Sequence, residues 1–202
     1  MKRLLPCSLL ASLSLLAACS TTSERRVLTA DGTRAELALL ETTDLHTNVM
    51  SYDYFRLAED KTVGFERVAT LITRARKEFA NTLLFDNGDT IQGTALSDYQ
   101  AQVNPLPCEQ TLAMYKVMNE LGYDAGGIGN HEFNYGLSFL SQVTGNRFNV
   151  NLREGEKPIV AQPCAGPNFP LVLANVLSVK DRQPLFKPYV ILDRTRRSRA
   201  HS

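Results

Sequence analysis

Thr82-Leu83-Leu84-Phe85-Asp86-Asn87-Gly88-Asp89 is the stretch whose reading decides the fold. Residues 82–86 form a short apolar run, as a strand buried in a parallel sheet requires. Asn87-Gly88 breaks the run, and Asp89 stands free at the break. Upstream, residues 36–43 (ELALLETT) read as a second strand, made mostly apolar and buried by Leu37, Leu39 and Leu40, and followed by Asp44-Leu45-His46. Downstream, residues 124–129 read as a short strand ending in glycines, followed by Asn130-His131-Glu132. Helical spacing fills the gaps. Over 64–80, Phe65, Val68, Leu71, Ile72 and Phe79 fall on one face, with Arg67, Arg74, Arg76 and Lys77 elsewhere. Residues 109–121 predict a second helix with Leu112, Met114, Tyr115, Met118 and Leu121 for its core, and 134–143 a third. Residues 44–61 read as a polar, aromatic loop, and 146–169 as irregular chain broken by Pro158, Pro163, Gly166 and Pro167. Two further strands are expected at 171–177 and 187–192. Strands alternating with helices predict a layered α/β domain, and the loops beyond its strand ends carry the chemistry.

Those three loops hold metal-capable groups. Asp44 and His46 are two apart, so in an extended stretch they point the same way and can offer one carboxylate and one imidazole to one cation. Asp89, after a glycine that permits a close turn, can bridge two metals. Asn130 supplies a neutral amide oxygen, and His131 beside it can face a substrate. Each motif alone is commonplace, since an Asp or His at a strand end more often caps or is solvated. Three consecutive strands ending D-x-H, G-D and G-N-H-E form a set of oxygen and nitrogen ligands suited to two divalent ions of the Zn, Mn, Fe or Co class. Two such ions about 3.5–4 Å apart activate a water and clamp a phosphoryl group for in-line attack. His131 is then placed to protonate the leaving oxygen or neutralise developing charge.

The chain has 202 residues, enough for one domain with a core. Its net charge of +1 gives no argument for binding a nucleic-acid polymer. Residues 1–18 read as a signal peptide, with Lys2 and Arg3 ahead of an uncharged apolar run too short to span a bilayer as a helix. Leu16-Ala17-Ala18-Cys19 resembles a bacterial lipobox, which implies lipid on Cys19, a membrane anchor and a periplasmic location, with residues 19–35 as tether. An ordinary signal cut near Ala18 is the plainer alternative. Of the four cysteines, Cys108 and Cys164 then remain in a compartment that permits disulfides, and a bridge between them is expected over two separate thiols.

The set D-x-H, G-D, G-N-H-E resembles the calcineurin-like metallophosphoesterase superfamily. The longer stretches TTDLHTN at 42–48, DNGDTIQG at 86–93, LSDY at 96–99 and GNHEFNYGL at 129–137 resemble the cyclic-nucleotide phosphodiesterase/3′-nucleotidase branch of its 5′-nucleotidase family. The resemblance runs from about Glu36 to Asp193. It implies Asp44 and His46 on the first metal, Asp89 bridging, Asn130 on the second, and His131 as the transition-state histidine. Family 5′-nucleotidases often place an Asp three residues after that histidine to orient it, and here Asn134 stands there, as in the cyclic-nucleotide branch.

The implied substrate is a nucleotide, hydrolysed in nucleotide scavenging. A 5′-nucleotidase or UDP-sugar hydrolase is the rival within the class, and a non-catalytic lipoprotein keeping part of the fold the rival outside it. The family's sheet continues with further histidines, including a G-H-x-H motif, and with a base-binding domain. This chain has three histidines, His46, His131 and His201, and residues 194–202 (RTRRSRAHS) resemble no family segment. The expectation is therefore a calcineurin-like α/β domain over 36–193, truncated after roughly its first half. Its second metal site is incomplete, and the chain alone is expected to be inactive and poorly stable. The two retained cysteines lie in stretches extra to the family pattern, around 104–109 and 146–168, which supports their pairing.

Overall fold

A computed structural model of the chain describes residues 32, 34–159 and 163–194. The signal segment, Cys19 and residues 195–202 lie outside the described residues. Two units divide at Arg34, and the second, Ala35–Ser202, holds every element described below.

Four parallel strands form the sheet in the order β1 (Ala38–Thr42), β4 (Thr82–Asp86), β5 (Ala125–Gly127), β6 (Leu171–Val172). Register pairs Thr42 with Asp86 and Asp86 with Gly126, so three strand ends line up along one edge. The helices α1 (Phe65–Glu78), α3 (Ala113–Leu121) and α4 (Gly136–Thr144) follow successive strands. A two-stranded hairpin, β2 (Tyr52–Asp53) with β3 (Ala58–Glu59), stands in the expected loop 44–61. A short helix, α2 (Ala95–Asp98), starts in a capping box between Thr94 and Ser97 and runs on into a π-helical turn, Tyr99–Val103.

The core gathers Phe65, Ile72, Leu84, Met114, Tyr115, Met118, Leu140 and Phe169 with their neighbours. Tyr115 and Tyr123 bracket Phe169, with ring centroids 6.2 and 5.7 Å away. Arg76, near the end of α1, donates to the carbonyls of Leu121 and Gly122 where α3 ends, a cation on the negative end of a helix.

Several expectations are corrected. Among the described residues β1 has a neighbour on one side, and Leu39 is 66% exposed, so this is not a buried strand. Leu71, assigned to the apolar face of α1, is also exposed. The helix expected from 109 starts at Ala113. Pro107 has no N–H, Cys108 is disulfide-bonded, and the Cys108 carbonyl accepts from Ala165, so the preceding residues are held away from helical geometry. The strands expected at 171–177 and 187–192 shrink to Leu171–Val172 and two isolated bridges, Val172 with Lys187 and Leu177 with Pro184. Pro184 and Pro188 lack the N–H groups that longer ladders need.

Candidate metal centre

The register brings the three predicted loops to one edge of the sheet, and the loops are then tied to each other by main-chain bonds. Asp44 N–H donates to Gly88 O (3.1 Å), His46 N–H to Asp89 O (3.0 Å) and Thr47 N–H to Thr90 O (2.9 Å). His131 N–H donates to Asp89 Oδ1 (2.8 Å). One Nε2 or Nδ1 of His46, a carboxylate oxygen of Asp89 and a ring nitrogen of His131 all lie within 4.8 Å of one another. The two imidazoles meet edge to face with centroids 4.9 Å apart.

Asp44 sits beside this group, its Oδ1 3.7 Å from His46 Nε2, and Thr43 Oγ1 donates to its other oxygen. The reason for their proximity differs from the expected one. Asp44, His46 and Thr47 have φ of 54°, 47° and 55°, so the stretch is a left-handed turn and not an extended strand. Asp89 has φ 58°. A left-handed non-glycine residue costs about 1 kcal/mol or more, and four around one spot mark a strained, specified backbone. Asn130, the predicted second-metal ligand, is exposed at the start of the 3₁₀ turn His131–Phe133.

Two glycines are obligatory here. A Cβ at Gly129 would lie 2.3 Å from Asp89 Oδ1, and one at Gly93 2.8 Å from His46 Cβ. Both make room for the side chains that form the group.

Sequence reading missed the groups that hold the loops. Glu132 is 1% exposed, and its carboxylate accepts from the N–H of Asp89 (2.9 Å), Thr90 (2.5 Å), Ile91 (3.4 Å) and Gly129 (2.8 Å). It was legible as the last letter of G-N-H-E, without a role. Asp86 lies beneath, accepting from Thr42 Oγ1, Thr90 Oγ1 and Gly88 N–H. Burial pushes the Asp86 carboxyl above the usual carboxylate range, and the hydrogen bonds from Thr42, Thr90 and Gly88 pull the other way. Thr42 Oγ1 also meets Tyr123 OH at 2.8 Å. Gln92, within DNGDTIQG but given no role there, has its main-chain oxygen 2.7 Å from His46 Nδ1 and its Oε1 2.8 Å from His131 Nδ1. Asn134 Nδ2 lies 2.9 Å from the same His131 nitrogen.

Farther out, Tyr135 OH donates to Asp98 Oδ1 (2.5 Å), and burial raises its phenol to about 12. Cys108 and Cys164 are joined by a disulfide.

Two imidazoles and a carboxylate are a donor set that suits borderline divalent ions. With Nδ1 of each histidine facing an oxygen of Gln92, each ring keeps Nε2 for a ligand. The residues present therefore fit a divalent metal.

No protein-family model matches the chain. It is 43% identical over 192 residues, 95% of its length, to a 2′,3′-cyclic-nucleotide 2′-phosphodiesterase/3′-nucleotidase of Yersinia enterocolitica. It is 41% identical over 77% of its length to the protein of the same name from Salmonella typhimurium. The chain covers 25% and 21% of those two proteins, about a quarter or less of their length. The structure is similar to a calcineurin-like phosphoesterase, YfkN, from Bacillus subtilis, with a TM-score of 0.68 and 38% identity, over 81% of this chain and 44% of that one.

Proposed function

Since the chain belongs, over most of its length, with the 2′,3′-cyclic-nucleotide 2′-phosphodiesterase/3′-nucleotidases of the 5′-nucleotidase family, we propose that it provides metal-binding loops of a hydrolase of nucleotide phosphoesters. Its reaction is opening of 2′,3′-cyclic nucleotides and release of phosphate from 3′-nucleotides, in nucleotide scavenging. The observation that carries this reading is the convergence of His46, Asp89 and His131 within 4.8 Å at the ends of three parallel strands.

Asp44, His46, Asp89 and Asn130 are the proposed metal ligands, with Asp89 shared between two sites. A divalent ion bound there supplies Lewis acidity to a phosphoryl oxygen and makes a water nucleophilic near neutral pH. His131, with Nδ1 facing Gln92 Oε1, keeps Nε2 for the substrate, and the doubly protonated ring would donate from there to a phosphoryl or leaving-group oxygen. Glu132 keeps the Asp89 loop and Gly129 in one arrangement, so the ligands need no rearrangement when substrate arrives.

Asn134 beside His131 favours the cyclic-nucleotide branch over a 5′-nucleotidase, because an amide orients the ring without adding charge. The test is a panel of 3′-AMP, 5′-AMP and 2′,3′-cyclic AMP with Mn²⁺ or Zn²⁺, on protein expressed from its complete reading frame. Hydrolysis of the cyclic and 3′ substrates, abolished by a chelator, is expected. Preference for 5′-AMP overturns the branch, and turnover without metal overturns the centre.

The domain is proposed to span 36–193 behind an export signal at 1–18 and a tether at 19–35. Lipid on Cys19 would anchor it to a membrane facing the periplasm. Among the described residues no helix is long and apolar enough to cross a membrane.

A further inference from the structure

Gln92 touches both site histidines with chemically different oxygens. Its main-chain carbonyl faces His46 Nδ1 at 2.7 Å, and its side-chain Oε1 faces His131 Nδ1 at 2.8 Å. A carbonyl only accepts, so His46 must carry its proton on Nδ1. The side-chain amide of Gln92 is oriented by a second neighbour. Asn134 Nδ2, a donor, lies 3.2 Å from the same Oε1, in agreement with the oxygen and not the NH₂ of Gln92 on that side. His131 Nδ1 therefore also faces an oxygen and carries its proton there. Both rings are left with an unprotonated Nε2.

Asn134 works against this arrangement at His131. Its Nδ2 is 2.9 Å from His131 Nδ1, and a donor there favours a bare Nδ1 with the proton on Nε2. Gln92 Oε1 is the group that decides the contest.

We propose that Gln92 is a positioning residue that sets the tautomer of both histidines, and that at His131 its side chain alone prevents Asn134 from reversing it. The inference rests on the metal-centre reading for its consequence, because the group facing Nδ1 decides what Nε2 of His131 offers to a substrate oxygen there. The tautomer itself is a property of the chain and is measurable without metal. An isosteric apolar residue at 92 removes Oε1 and keeps the main-chain oxygen. His46 thus serves as a control inside the same molecule.

The experiment is long-range ¹H–¹⁵N correlation of the histidine rings in metal-free protein of complete reading frame, for wild type, Gln92→Leu and Gln92→Glu. Wild type is expected to show Nδ1–H on both His46 and His131. Gln92→Leu is expected to move the His131 proton to Nε2 and leave His46 unchanged. Gln92→Glu, which keeps an acceptor oxygen, is expected to retain the wild-type pattern. Titration of Mn²⁺ into wild type by calorimetry reads the metal centre itself, independently of the ring spectra.

An unchanged His131 tautomer in Gln92→Leu overturns the proposal. So does an equal change at His46, which would mean the loop itself has shifted. A wild-type protein that binds no Mn²⁺ sinks the reading of the site, and the ring spectra still judge Gln92 separately.

Discussion

At the scale of single residues, the centre depends on groups that never touch a ligand. The Glu132 carboxylate satisfies four N–H groups from two loops while nearly excluded from water. Glu132→Gln keeps one oxygen and sets an NH₂ against donors, so it is expected to destabilise the fold by about 2–4 kcal/mol, checked by urea denaturation. Wild-type stability in that variant would refute the clamp. Asp86 carries a pH dependence of known sign. Burial raises its folded value above the ordinary 3.8, so the folded state holds the proton more tightly than the unfolded chain. The stability this gives is complete below the unfolded value and is lost as pH rises through the folded one. Asp86→Asn, neutral throughout, is expected to gain on wild type as pH rises from about 3.5 to 7, read as the difference in unfolding free energy. A difference that stays flat with pH would contradict it.

At the scale of elements, what matters is how loops are fixed after each strand. The β1 loop is pinned to the β4 loop by three main-chain bonds, and the β4 loop to the β5 loop through Glu132 and Asp89. The disulfide does the same for two irregular segments, joining positions 56 apart and assisted by the bond from Ala165 N–H to Cys108 O. Loop closure of that length predicts that Cys108→Ser with Cys164→Ser lowers stability by about 4 kcal/mol. Denaturation with and without reductant checks it, and equal midpoints would show that the bridge adds nothing. Asp124 secures the start of β5, accepting from Leu84 N–H through one oxygen and from Arg194 through the other.

At the scale of the whole molecule, the candidate ligands come from the ends of three strands spread across the sheet. A metal that binds only when those ends are together must stabilise the folded state. At a free concentration near 100 times Kd the gain is about 2.7 kcal/mol, a rise in Tm of roughly 5–10 °C for a domain of this size. Thermal scans with Mn²⁺ against chelator check this. No rise in wild type, or an equal rise in Asp89→Ala, would mean the centre is not the binding site.

The sequence by itself determined the order of elements and the placement of the chemistry. Strand β4 was legible to the residue, because five apolar-rich positions end at Asn-Gly-Asp, and local preference and burial agree there. The gathering of His46, Asp89 and His131 at one edge was legible because each follows a strand end, and loops beyond strand ends converge in parallel sheets. Only the tertiary structure decided how they meet. The left-handed turn at Asp44–Thr47 depends on bonds to residues more than 40 positions away, which no local pattern encodes. The exposure of Leu39 and Leu71 depends on what packs against each face, and apolar spacing cannot report that. Glu132 and Gln92 gain their roles from partners across the chain, 43 positions apart for Glu132 with Asp89 and 39 for Gln92 with His131. A lone acid or amide in a sequence gives no sign of such a partner, because a hydrogen bond is specified by distance and direction in space, and folding alone supplies both.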